Sequence, residues 1–102
     1  MKKDKIVLAG SGYVGDYLIN MLIKKDDYQE IIELAKQKNI LTIIDGAHVP
    51  AHIDLDIKKL DPDFYCGACH KWMCSPKGVA FLYVKKEYQN MMEPLVVSWG
   101  YE

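Results

Sequence analysis

A chain of 102 residues, half of them apolar, has room for one small domain around a single hydrophobic core. Thirteen lysines, no arginine and fourteen carboxylates give a formal net charge of −1, which argues against a polyanion-binding stripe or a solvating acidic tail. No apolar run reaches membrane length, and the run behind the basic start is too short for a signal-peptide core, so the chain is expected in the cytoplasm with its three cysteines reduced.

The first element predicted is a strand, KIVLAG from Lys5 to Gly10, followed by the turn Gly10-Ser11-Gly12-Tyr13-Val14-Gly15. Behind it, Val14, Leu18, Met21 and Leu22 recur at helical spacing. A second helix is expected from Asp26, with Ile31, Leu34 and Ala35 on one face and Lys36, Lys38 and Asn39 at its end. The β-branched run from Ile40 to Ile44 predicts a buried strand broken by Asp45-Gly46. DIKKLDPDFYCG gives a helical turn closed by Pro62 and a further strand from about Asp63, and Gly78 to Glu87 reads as another. Strands interleaved with helices, without repeats or linkers, predict an α/β class: a mainly parallel sheet with flanking helices.

The glycine turn matches G-x-G-x-x-G where a dinucleotide site needs it, after a strand and at the opening of a helix, where backbone N–H groups can meet phosphate. KIVLAGSGYVGDYLINMLI therefore resembles the first strand, turn and helix of NAD(P)-dependent dehydrogenases, with Gly10, Gly12 and Gly15 as the phosphate-facing glycines. The acidic residue that should hold the ribose about twenty residues on is missing, because Asp26 and Asp27 do not end a strand. Titration calorimetry is accordingly expected to show no NADH binding in the micromolar range. Micromolar binding lost in Gly12→Val would reverse that reading.

FYCGACHKWMCSPKG, Phe64 to Gly78, holds every cysteine and admits several chemistries. Cys66-Gly67-Ala68-Cys69-His70 has the spacing of a haem attachment site, Cys66, Cys69, His70 and Cys74 could supply four zinc ligands in number, and Lys71 could condense with a carbonyl cofactor. Haem attachment needs an export-linked oxidising compartment. The four thiol and imidazole groups fall within nine residues of strand and turn, where alternate side chains point to opposite faces. The C-x-x-C does not open a helix, as a redox pair would, so no metal or redox centre is expected.

Asp45-Gly46-Ala47-His48, then His70-Lys71-Trp72, then Pro76-Lys77-Gly78 occur at one set of spacings. Over about Glu30 to Glu102 the chain resembles fold-type I enzymes that use pyridoxal phosphate, specifically the class V aminotransferase family and its isopenicillin N epimerase-like branch. The resemblance implies a piece of the large domain over 30–102, preceded over 1–29 by the Rossmann-like start. It implies pyridoxal phosphate as cofactor and an amino acid as substrate, while the near-zero net charge and the lack of a membrane-length run predict no nucleic acid or membrane partner. Lys71 then matches the Schiff-base lysine and base. Asp45 would sit beside the ring nitrogen, His48 against the ring or its hydroxyl, and His70 at the phosphate. A buried carboxylate suits the first task because its charge holds a proton on the pyridine nitrogen, and an amine can be tuned by burial and neighbouring charge for the second. Lys77 reads as a turn or surface residue, and His52 lies off the motif.

Two departures qualify the match. The position three before Lys71 carries Ala68 where the family usually has a hydroxyl or amide able to bond phosphate, and the chain has no arginine to take a substrate carboxylate. The chain is thus expected to be a fragment or a fused reading frame, incompetent alone, with an uncovered apolar surface that favours a homodimer. The alternatives are a nucleotide-binding dehydrogenase fragment and a non-catalytic relic.

Overall fold

The computed structural model describes residues 6–10 and 28–100. Four strands make one sheet in the order of the chain: β1 (Ile6–Gly10), β2 (Leu41–Asp45), β3 (Phe64–Ala68) and β4 (Ala80–Val84). β1 to β3 run parallel and β4 returns antiparallel, so the sheet is mainly parallel, as the sequence predicts. Among the described residues the helices are α1 (Tyr28–Gln37), the short α2 (Ile57–Leu60) and a 3-10 turn over Lys86–Met91. The predicted helix over residues 14–22 and the turn at 11–15 lie outside the described residues. Gly10 is placed, and its register partner is Asp45. No helix among the described residues is long and apolar enough to cross a membrane.

The core follows from the pleat. Ile44 and Tyr65 are paired across β2 and β3 on one face of the sheet, and α1 covers them with Ile31 and Ile32. Val49, Leu55, Ile57, Leu60, Phe81 and Tyr83 complete the cluster at its margins. The helix buries Ile31, Ile32 and Ala35, whereas Leu34, expected inside, is 45% exposed. The contact stripe is therefore rotated from i, i+3, i+4 to i, i+1, i+4, and Ile32 is fully buried against the core. Asn39 ends α1 in the left-handed region at φ 56°, and the N–H of Ile40 returns to the Ala35 carbonyl. That geometry suits asparagine better than most side chains.

Polar devices fix the strand ends. Asp56 caps α2 by accepting from the Lys59 N–H at 3.0 Å, and Asp61 closes it with φ 54°. Asp61 also bonds Lys36 of α1 and pairs with Lys85 beyond β4 at 3.1 Å, tying three elements together. The Lys36 bond is the main reason the Asp61 carboxyl lies below the usual carboxylate range. Its contribution to stability is present above the ordinary carboxylate pKa and lost as pH falls through the lowered value, and partial exposure keeps it small. Deeper, Thr42 and Asp63 are both buried: the Asp63 carboxylate accepts from the Thr42 N–H at 2.9 Å and from its hydroxyl at 3.3 Å, while the Thr42 hydroxyl accepts from the Asp63 N–H at 3.0 Å.

Candidate active site

Parallel strands deliver their C-terminal ends to one edge, and the residues of interest leave the sheet there. Asp45 is the last residue of β2 and pairs in register with Cys66 of β3. Its Oδ1 accepts from the Ala47 N–H at 3.2 Å, an Asx-type turn that starts the loop carrying His48. The Cys66 thiol donates weakly to the Ile44 carbonyl at 3.6 Å and to Asp45 Oδ1 at 3.8 Å. Burial, helped by the Asp45 charge, pushes that thiol up, so it stays protonated and a donor.

Gly46 is required by what lies beneath it. A Cβ there would stand 2.0 Å from the Tyr65 hydroxyl oxygen, closer than any side chain tolerates. Tyr65 is 2% exposed, and no hydrogen-bond partner of its hydroxyl is found among the described residues. Burial first, then the charges of Cys66 and Asp45, push its pKa up to about 12 from 10. A raised acid favours the fold below the unfolded-state pKa and loses that advantage as pH rises through 10 towards 12. Wild-type stability should therefore fall by about 2 kcal/mol more than that of Tyr65→Phe over this window, measured by denaturant unfolding at each pH. An equal fall in both proteins would mean that the hydroxyl is hydrated.

The β3–β4 connection carries Lys71. It is closed at its base by the Cys69 N–H on the Val79 carbonyl at 2.9 Å and by the Ser75 N–H on the Cys69 carbonyl at 3.2 Å. His70 adds a third closure, with Nδ1 3.2 Å from the Val79 carbonyl. A carbonyl only accepts, so Nδ1 carries the proton in this contact, in which Nε2 takes no part. Lys71 Nζ lies 3.2 Å from His48 Nε2, an approach across 23 residues of sequence. The two groups and Trp72 line one open concavity.

The structure thus joins His48 to Lys71. Asp45 instead lines a neighbouring pocket of about 480 Å³ with Gly46, Val49, Ile44 and Tyr65. His70 lines neither, being turned to its own loop. Among the described residues no cluster of three His, Cys, Asp or Glu side chains could hold a metal. Cys66 acts on Asp45, a partnership that the cysteine spacing did not reveal; only the register across the strands does. The chemistry of the group set fits pyridoxal phosphate. A primary amine, an imidazole beside it, a carboxylate ending the adjacent strand and a second imidazole with one nitrogen available all occur at one sheet edge. Ala68, buried at the end of β3, offers no side-chain donor to the phosphate.

Comparison with known proteins gives the same direction. A family described as aminotransferase class-V matches residues 20–100. Isopenicillin N epimerase of Streptomyces clavuligerus is 44% identical over 73 residues, covering 72% of this chain and 18% of the relative. Hercynylcysteine sulfoxide lyase of Schizosaccharomyces pombe is 37% identical over 89 residues, 87% of this chain and 23% of the relative. Among solved structures, an apo cysteine desulfurase from Thermococcus onnurineus superposes with a TM-score of 0.66 at 28% identity, covering 72% of this chain and 18% of that one. The chain spans about a fifth of the length of these relatives.

Proposed function

This chain belongs to the class V aminotransferase family, and on that premise we propose that it contributes one wall of a pyridoxal-phosphate site acting on an amino acid. The observation that carries the proposal is the 3.2 Å approach of Lys71 Nζ to His48 Nε2, at the sheet edge where β2 ends in Asp45. Pyridoxal phosphate, when bound, supplies an electron sink for the substrate's α-carbon. Lys71 would hold that group through its primary amine, and the same Nζ would be the atom that takes up the substrate's α-proton. His48 Nε2 can accept a proton from the ammonium or donate one to the neutral amine, so the pair can pass a single proton between two nitrogens. The exposed Asp45 carboxylate, which accepts from the Ala47 N–H and the Cys66 thiol, would be the group to face the cofactor's ring nitrogen. His70, held by the Val79 carbonyl through Nδ1, would be the residue to meet the phosphate through Nε2. The amino-acid substrate, and pairing with a second copy that would cover the exposed Leu95, Val96 and Trp99, are part of the same proposal.

The test is to add pyridoxal phosphate to the full chain, reduce with borohydride and map the modified peptides. Label concentrated on Lys71 is expected. Label spread evenly over Lys71, Lys77 and Lys85 would defeat the assignment.

A further inference from the structure

His52 lies outside the motif, yet its ring makes two contacts that meet at the site. It stacks on the Trp72 indole, with centroids 4.3 Å apart and planes 19° from parallel. Its Nδ1 stands 3.2 Å from the carbonyl of His48. Because a carbonyl only accepts, Nδ1 carries the proton in this bond. The backbone beneath is itself anchored: the N–H groups of His52 and Ile53 both return to the Val49 carbonyl, at 3.0 and 3.2 Å, around Ala51 at φ 62°.

We propose that His52 is a positioning residue: by holding Trp72 and the His48 carbonyl together it fixes the approach of His48 to Lys71. Lys71 and Trp72 are adjacent in sequence, and His48 precedes His52 by four residues, so the stack and the Lys71–His48 bond are two rungs between the same two loops. The β3–β4 loop is otherwise bonded to itself through Cys69, His70, Ser75 and Val79. Without the stack, the exposed Lys71 side chain would spread over its rotamers, and one hydrogen bond to an exposed imidazole would not gather them. The aromatic pair is the part with enough contact area to do so.

The proposal rests on Lys71 and His48 acting together, but the clamp can be tested without cofactor. In the isotopically labelled full chain, Lys71→Ala should shift the His48 ring-nitrogen resonances. The same substitution in a His52→Ala background should shift them less than a third as much, and His52→Phe, which keeps a stacking ring, should restore most of the response. Equal shifts in all three backgrounds, or a Phe variant no better than Ala, would overturn the proposal. With cofactor and borohydride, the ratio of label at Lys71 to label at Lys77 should fall at least threefold in His52→Ala. An unchanged ratio would also overturn it. Failure of Lys71 to label selectively in the wild type would remove the proposed function while leaving the resonance comparison to decide the clamp.

Discussion

Asp63→Ala is expected to lower the unfolding free energy by about 3 kcal/mol, the largest loss from any single polar side chain described here. The carboxylate is 1% exposed and receives both the N–H and the hydroxyl of Thr42, itself fully buried. Truncation leaves the Thr42 N–H in an apolar interior without its acceptor, at a cost of about 1–3 kcal/mol for that group alone, and takes the acceptor from the Thr42 O–H, while the backbone N–H of residue 63 still donates to that hydroxyl. Thr42→Val in the same experiment should cost less, since the Thr42 backbone N–H stays on the carboxylate and only the Asp63 N–H loses the hydroxyl as acceptor. Denaturant unfolding followed by circular dichroism measures both. A loss below 1 kcal/mol for Asp63→Ala would mean that water enters to replace the carboxylate.

Asp45→Ala should weaken cofactor binding by at least about tenfold, and Asp45→Asn should separate the two jobs that this side chain performs. Asparagine can still accept from the Ala47 N–H and so keep the turn that leads to His48, but it brings no charge to a pyridine nitrogen. The expected order of affinity is wild type, then Asn, then Ala, with the ring-nitrogen protonation of the bound cofactor shifted to lower pH in both variants. Absorbance titration against pH and cofactor concentration gives both quantities. Wild-type affinity in Asp45→Asn would show that the carboxylate serves the turn and not the cofactor.

The elements were legible wherever local chemistry and tertiary demand agree. Ile40 to Ile44 is β-branched and bounded by Asp-Gly, and β2 forms there; Asn39 stops α1 because its φ is positive. Periodicity puts Leu34 on the buried face of α1 because it reports a stripe and not its rotation, which the sheet below sets through Ile32. The strand expected from Gly78 begins only at Ala80, since the Val79 carbonyl is engaged by His70 and Cys69 in closing the loop. Asp45, His48, His70 and Lys71 could be picked out through their joint spacing, which no one of them reveals. The Thr42–Asp63 exchange, the Cys66–Asp45 contact and the His52–Trp72 stack were invisible for one reason: each joins side chains at least 20 positions apart through strand register or loop approach, and neither leaves a local pattern.

The parallel register of β2 and β3 also bears on where this protein can change length during evolution. Ile44 faces Tyr65 and Asp45 faces Cys66, so deleting one residue from either strand would slide the pair by about 3.3 Å and turn every following side chain to the other face. Asp45 would then enter the core and Ile44 the rim. Single-residue insertions and deletions should therefore be purged from 41–45 and 64–68. The exposed tip at Pro76 and Lys77 lies between Ser75 and Val79, the bonded positions that close the loop on its start, so lineages should gain and lose residues there while the distance from β3 to Lys71 stays constant.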